Sequence, residues 1–386
     1  MNLGYADKTP PELFDAVLID EAQDLPMEFL RLVHAATRAP KRIIWAYDEL
    51  QNLSNTDMVP VDELFRGKVS INNTPNAAQQ DIVLPICYRN TPWALTLAHA
   101  IGFGLYREGG LVQLFDELDL WTDIGYHVES GSLRFGSEVS LRRRDDSYPD
   151  FFNTLLRRDD AIISQRFKST TEQYEYIATE IEKNITDDEL DPDDIMIILP
   201  DAYRAPSEYH EIERSLSRRK IQSHLAGVSS QRDVFIVPGS VAVTGIFRAK
   251  GNEAPMVYVV NADYCASGME MISLRNRLFT AITRSRAWVR VFGTGKGMDT
   301  LLEEIAAVQR NDYHLKFLIP TRQELKRIRL INRDRSPEEK EDLRKVEKDI
   351  DKIQKLVKRR TLTPELTAKL KALRNQLSDL DEFEEE

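Results

Sequence analysis

Residues 14–24, FDAVLIDEAQD, limit the fold more than any other stretch of the chain. Ala16, Val17, Leu18 and Ile19 form an unbroken apolar run that stops at two acids, Asp20 and Glu21. A strand with one wet face would alternate apolar and polar residues, so a continuous run predicts a strand covered on both faces. An amphipathic stretch, MEFLRLVHAAT, and a second apolar run, RIIWAY, come next. Strand, helix and strand in that order are the unit from which parallel α/β sheets are built.

The theme returns downstream. Residues from about 85 to 106 read as helical, DAIISQ and DIMIILP as buried strands, and TEQYEYIATEIEKNI as the helix between them. VAVTGIF, MVYVVNAD and WVRVFG are three more strand candidates, interrupted by the basic helix LRNRLFTAITRSRA. These make a second α/β unit. From Ser336 the pattern changes: a Ser N-cap, Pro337 at the first helical position and acids in the first turn open a helix. Its seam is Leu343, Val346, Ile350, Ile353 and Val357, and Leu366, Leu370, Leu373, Leu377 and Leu380 repeat it on a second helix. Two such helices joined by a short loop predict an antiparallel hairpin, which seals against itself or the body or else serves as a docking arm.

Composition rules out several classes. With 386 residues and 42% hydrophobic content, there is enough apolar material for one large or two to three ordinary cores. No apolar run approaches the roughly 18 to 20 residues of a membrane span, and no signal-peptide pattern opens the sequence, so no membrane role and a cytoplasmic address are expected. Cys87 and Cys265 stand apart with no CxxC or Cys/His cluster, which excludes a disulfide framework or zinc site and leaves two small core residues. A net charge of −11 argues against a globally basic nucleic-acid binder, though a strand can still run through a local groove. The acid is concentrated in the last residues, DLDEFEEE, which read as a solvated tail.

Asp20 and Glu21, side by side at the carboxyl end of a strand, suit one chemistry in particular. A hard carboxylate held rigidly is what Mg²⁺ prefers, and a second beside it can orient and deprotonate water. AYDELQNL then offers Asp48 and Gln51 as polar sensors, and LPICYRN offers Tyr88 as a platform for a base and Arg89 as a planar fork for phosphate oxygens. VTGIFRAKGNEA and RLFTAITRSRA complete the series.

These five blocks, in this order, resemble superfamily 1 helicases of the UvrD/Rep type over roughly residues 14–293. They correspond to that family's motif II (Asp20, Glu21, Gln23, Asp24), motif III (Asp48, Gln51), motif IV (Tyr88, Arg89), motif V (Thr244, Lys250, Gly251, Glu253) and motif VI (Thr283, Arg284). The resemblance implies an α/β protein of RecA-like P-loop NTPase lobes: part of a first lobe in residues 1–85, a complete second lobe in 86–320, and a C-terminal α-helical hairpin or coiled coil with its acidic tail in 321–386. It implies ATP and Mg²⁺ as cofactors and single-stranded or duplex DNA as partner. Asp20 would hold Mg²⁺, Glu21 polarise the attacking water, and Gln51 couple the γ-phosphate to the strand-binding groove. Tyr88 would stack on adenine, Arg89 and Arg284 would reach the γ-phosphate as arginine fingers, Gly251 and Glu253 would lie near the nucleotide, and Thr244 would sit close to the nucleic-acid backbone.

Three departures qualify this reading. Tyr47 precedes Asp48 where the family usually has glycine. Only about forty residues separate DIMIILP from motif V, too few for the large insertion domain many UvrD/Rep enzymes carry there, so a compact second lobe is expected. Most of all, no G-x-x-x-x-G-K-[ST] precedes Asp20; Gly295-Lys296 lacks the spacing, the Ser/Thr and the position, and reads as a strand-to-helix turn. The strands AVLID and RIIWAY are therefore expected to expose edges and apolar faces until another polypeptide bearing the P-loop and its strands completes the lobe, the alternative being that the chain is a fragment of a longer protein whose N-terminus lies outside this numbering. The sequence supports two readings: half of a split ATP-dependent helicase or translocase, for which DNA repair or defence against mobile elements would be settings by analogy, or a non-catalytic helicase-like scaffold. The joint presence of the carboxylates and arginines favours the enzyme. LRNRLFTAITRSRAWVR is basic and aromatic-interleaved and suits phosphates, though much of it is expected to serve the ATP cleft; Arg142–Arg144 is a weaker candidate for strand contact and reads better as a solvated loop.

Overall fold

The computed structural model describes residues 11–53, 59–69, 71, 80–231 and 233–331, together with 345, 352–353, 356 and 366–370. Two compact units divide the chain, Met1–Phe65 with Ile82–Arg333, and Arg66–Asp81 with Asp334–Glu386. The expected hairpin belongs to the second unit and lies almost wholly outside the described residues; those described from 345 onward are helical.

In the first unit, β1 (Phe14–Ile19), α1 (Met27–Ala36) and β2 (Thr37–Trp45) form the expected strand, helix and strand. The strands pair in parallel, Leu18 opposite Ile44 and Ile19 opposite Trp45. Their cover is one-sided. Trp45 stacks on Phe65 with ring centroids 6.4 Å apart, while Leu18 and Ile44 on the other face are 78% and 67% exposed. That leaves the expected bare apolar face on a two-stranded sheet.

The helix expected from about residue 85 starts later, as α2 (Pro92–Phe103). Proline disfavours helix at the residue before it, so residues 82–91 cannot join the helix smoothly. Thr91 caps α2 instead, its hydroxyl accepting from the Ala94 amide at 3.1 Å. Gly104, at φ +72°, ends it in the left-handed conformation that glycine adopts without cost. The chain then forms β3 (Gln113–Phe115), β4 (Tyr126–Gly131) and β5 (Glu138–Arg143), none of which the apolar patterning had marked.

The predicted second α/β unit is a six-stranded sheet of β6 (Ile162–Phe167), β7 (Ile195–Leu199), β8 (Ser223–Leu225), β9 (Val241–Gly245), β10 (Ala254–Val259) and β11 (Ser285–Thr294). Its order is β6-β11-β10-β7-β9-β8, and every pairing is parallel. The unbroken apolar runs have the cause inferred from sequence. Met196, Ile198, Val257 and Val259 enter one core, and Ile195, Ile197, Met256 and Tyr258 enter another. Successive side chains leave opposite faces, and both faces are covered. The helices α3 (Thr170–Thr186) and α4 (Ala205–Ser217) pack on the Ile195 side, with Ile177, Ile181, Ile212 and Leu216 inward. The opposite side is covered by α2, α5 (Met271–Ile282) and α6 (Gly295–Arg310). Gly295 opens α6 directly after β11, the strand-to-helix turn expected there.

Two short strands finish this unit. β12 (Leu315–Leu318) joins β5 and β4 in an antiparallel sheet, and β13 (Arg329–Ile331) pairs in parallel with β3. Among the described residues no helix is long and apolar enough to cross a membrane.

Candidate functional site

The carboxyl end of β1 delivers Asp20 and Glu21, and the backbone turns sharply there. Glu21 sits at φ +52°, a strained position for a residue with a Cβ, and its amide donates to the Asp20 carboxylate at 2.9 Å. Gln23 locks the turn from beneath. Fully buried, it donates to Glu21 Oε2 at 2.5 Å and accepts from the Asp48 amide at 3.2 Å. One amide side chain thus fixes the acid of the first block against the turn that follows β2.

That second turn runs from Asp48 through Gln51. Asp48 Oδ1 accepts from the Leu50 amide at 3.0 Å and Oδ2 from Gln51 Nε2 at 2.9 Å. Burial pushes the Asp48 carboxyl above its ordinary range, against the pull of the bonds from Gln51 and Leu50. With its amide nitrogen held, Gln51 turns its oxygen outward, and Arg284 Nη2 donates to it at 2.6 Å.

Arg284 occupies the turn between α5 and β11. It is 1% exposed and also donates from Nε to the Thr280 carbonyl at 3.1 Å. Burial, then repulsion from Arg89, lowers its pKa to about 10, so the guanidinium remains charged at neutral pH. Register explains its neighbours. Ala254 pairs with Ser285, so the residue before β10, Glu253, lies beside the residue before β11, Arg284. Glu253 forms an ion pair with Arg89 and lies 3.9 Å from Arg286.

Lys250, on the loop between β9 and β10, spans to the first block. Its ammonium lies 3.1 Å from Glu21 and 2.7 Å from Asp24. Gly251 follows at φ +83°, where a side chain would meet no steric clash but would strain the backbone. Tyr88 is 72% exposed, an open aromatic face one residue before Arg89.

The structure therefore links Glu21, Gln51 and Arg284 through Gln23 and Asp48, and places the Arg89–Glu253 ion pair beside Arg284 by strand register. Thr244 is 1% exposed and its hydroxyl donates to the adjacent Gly245 carbonyl. Much of the basic sequence is likewise turned to internal partners. Arg275 is fully buried against Glu304, Arg277 packs over Phe247 and Tyr264, and Arg290 reaches Asp160. Arg143 is buried and binds backbone carbonyls, while Arg142 and Arg144 pair with neighbouring acids. Each of these arginines is engaged within the fold.

The donor set bears on a metal. Among the described residues no group of three or more His, Cys, Asp or Glu side chains is placed to hold one. Asp20 and Glu21 are instead a pair of hard oxygen donors at a strand end, and Mg²⁺ is commonly held by one or two carboxylates with water and substrate phosphate completing the shell. The residues fit that mode and do not fit a closed all-protein metal site.

Sequence reasoning missed Gln23 as a bridge, Lys250 as the partner of Glu21, and Arg286. Gln23 and Lys250 stood within recognised blocks, but only the fold shows which carboxylates they meet.

Residues 240–292 match the family model of the UvrD-like helicase C-terminal domain. No curated protein matches the chain. Among solved structures, the C-terminal domain of a possible DNA helicase from Lactobacillus plantarum is similar at 21% identity, over 39% of this chain and 88% of that one, with a TM-score of 0.26. The arterivirus nonstructural protein 10 helicase, in complex with DNA, is similar at 11% identity over 46% of this chain and 36% of its own, with a TM-score of 0.22. These scores are too low for a shared overall fold to be read from them. The similarity to a UvrD-like helicase C-terminal domain rests on the family match, which begins at the strand carrying Thr244 and ends in β11 beyond Arg284.

Proposed function

We propose that the chain is part of a split ATP-dependent DNA helicase or translocase, composed of an incomplete RecA-like lobe, a complete one and a C-terminal helical arm, whose phosphate-binding loop is supplied by another polypeptide. The helicase-like match over residues 240–292 supports a helicase-related role in general. The observation that carries the finer reading is the hydrogen bond from Arg284 to Gln51, made between residues 233 positions apart. A bare structural arginine would take any acid; this one is aimed at a glutamine that Asp48 has oriented. The exposed Leu18 and Ile44 support the partner, since the remainder of a lobe would cover them.

In this reading Asp20 and Glu21 face the triphosphate, with Mg²⁺ bound through Asp20. Asp20 would hold the cation, and its charge would offset that of the triphosphate. Glu21 orients a water and takes its proton as the water oxygen bonds to the γ-phosphorus and the bond to the bridging oxygen breaks, releasing ADP and phosphate. Its carboxylate is then required as a base, so the Lys250 ion pair opens in the active state. Arg284 and Arg89 stabilise the charge on the transferring group, and Arg89 leaves Glu253 to do so. Gln51 reports the γ-phosphate through its shared contact with Arg284. Tyr88 offers its exposed ring to the adenine.

The test is ATP hydrolysis, with and without single-stranded DNA, by the chain alone and assembled with a polypeptide bearing a phosphate-binding loop. Hydrolysis that requires the second polypeptide, is stimulated by the strand and is lost in Glu21→Gln is the expected result. A stable complex that never hydrolyses ATP would assign the chain to the scaffold class.

A further inference from the structure

Gln51 lies on a turn that is gripped from both sides by buried groups outside the recognised blocks. Asn276 on α5, 1% exposed, donates through Nδ2 to the carbonyls of Glu49 and Asn52, at 3.3 and 2.9 Å. These carbonyls bracket Gln51. The other end of the Asn276 amide, Oδ1, accepts from Gln113 Nε2 at 2.8 Å, and Gln113 is fully buried. Arg329 closes the circuit. Its Nη1 donates to Gln113 Oε1 at 3.2 Å, and its Nη2 donates to the Glu49 carboxylate at 3.0 Å. Glu49 and Arg329 are only 4% and 10% exposed at their side chains.

A buried carboxylate and guanidinium are costly unless each satisfies the other, so this arrangement has little freedom to loosen by degrees. Arg329 is held by a short element. β13 spans three residues and pairs with β3, Arg329 opposite Gln113. If β13 leaves β3, Glu49 loses this cation and Gln113 loses the guanidinium that holds its Oε1, so the amide that orients Asn276 is itself less firmly fixed. The turn bearing Gln51 is then held less firmly against α5, the helix whose last turn provides the Thr280 carbonyl for Arg284.

We propose that Arg329, Glu49, Gln113 and Asn276 are positioning residues that set the Gln51 to Arg284 contact, and that docking of β13 on β3 holds that contact in place. The catalytic part of this proposal rests on the ATPase reading above. The structural part does not.

The experiment follows both parts in Arg329→Gln and Arg329→Lys, and in the charge exchange Glu49→Arg with Arg329→Glu. Amide hydrogen exchange is followed over residues 48–53, where the Leu50, Gln51 and Asn52 amides are bonded within the turn. The assembled protein is assayed for kcat and KM. Arg329→Gln is expected to speed exchange over this turn about tenfold or more, with β7, β10 and β11 unchanged. It should lower kcat by about tenfold to a hundredfold with KM for ATP within about twofold. Arg329→Lys, which keeps the cation without the fork, should fall between, and the exchanged pair should recover part of both losses. Native exchange at 48–53 in Arg329→Gln would overturn the proposal, as would a loss carried by KM alone. If the assembled native protein hydrolyses no ATP, the ATPase reading fails and hydrogen exchange alone decides the positioning claim. If Arg329→Gln does not fold, Arg329→Lys provides the same comparison.

Discussion

The ammonium of Lys250 lies 3.1 Å from the Glu21 carboxylate and 2.7 Å from that of Asp24, joining the loop before β10 to the turn after β1. The lysine is 8% exposed while both acids are 39% exposed, so the cation is the more deeply held partner. Lys250→Met removes the cation that the two carboxylates share and leaves them facing an apolar chain. Because both acids still reach water, the expected loss is about 1–2 kcal/mol, less than for a fully buried pair. Urea denaturation should show a lower midpoint at unchanged slope. An unchanged midpoint would mean that the pair contributes nothing to holding these elements together.

Asp48 has a carboxyl that burial raises above its ordinary value of 3.8, with the bonds from Gln51 and Leu50 opposing the rise. The folded protein then holds this proton more tightly than the unfolded chain does. The contribution of Asp48 to stability therefore falls as pH rises from the ordinary carboxylate value through the raised folded one, and is constant above it. Asp48→Asn has no such titration. The difference in Tm, variant minus native, should increase as pH rises above the ordinary carboxylate value and level off once the raised folded value is passed. A difference that decreases across that window would contradict the direction assigned to Asp48.

Arg284 is committed to two acceptors at once, the Thr280 carbonyl and Gln51. Lysine keeps the charge but has one nitrogen and no fork, so it cannot hold both. In the assembled protein Arg284→Lys is expected to lower kcat by about 10²- to 10³-fold while KM for ATP changes by less than about threefold. Steady-state kinetics across ATP concentrations separates the two. A rise in KM at native kcat would make Arg284 a binding group only.

Local pattern revealed what depends on local sequence. The unbroken runs around Ile197 and Val257 announced strands with two covered faces, whereas the run around Val17 announced a strand whose second face is bare in this chain, and the carboxylate pair after Ile19 stands at that strand's end. The helix expected from residue 85 failed for a local reason as well: Pro92 and the Thr91 cap fix its start. β3, β4, β5, β12 and β13 were not legible because short strands on mixed-polarity sequence acquire their pairing from partners far away, as Arg329 does from Gln113. Among site residues, the acids and arginines stood in recognisable blocks, whereas Asn276 and Gln113 are lone amides whose meaning lies in a burial that only the fold creates. The basic helix misled for the same reason. Arg275 and Arg277 lie in its buried face, so charge in the sequence did not become charge on the surface.

Arg275 and Glu304 form a bidentate pair between α5 and α6, at 2.7 and 2.9 Å, with side chains 0% and 2% exposed. Removing one partner strands the other charge in the core. Glu304→Gln is expected to cost about 3–5 kcal/mol, whereas Arg275→Met with Glu304→Leu, which removes both charges and keeps the volume, should cost much less. Calorimetry on the single and double variants checks the ordering. Equal losses in all of them would attribute the effect to packing and not to the unpaired charge.

Leu18 and Ile44 stand opposite each other on paired strands, largely exposed, with their neighbours Ile19 and Trp45 turned to the covered face. Neither makes a contact that folding of the six-stranded sheet requires, so a polar substitution there should leave the isolated chain as stable as before. Leu18→Glu is accordingly expected to change Tm by about 1 °C or less, since exposed substitutions away from special features usually fall within about 0.5 kcal/mol. It should also make the chain less prone to aggregate, because a charge replaces an apolar group beside a bare strand edge. In the proposed assembly the same residue enters the centre of a covered sheet, where a lone carboxylate has no counterion and desolvation opposes binding. Association with a polypeptide bearing the phosphate-binding loop should weaken by about a hundredfold or more, measured by isothermal titration or by size-exclusion chromatography of the mixture. Leu18→Met, which preserves volume and polarity, should bind as the native chain does. If Leu18→Glu associates as tightly as Leu18→Met, this face is not where the second polypeptide completes the lobe.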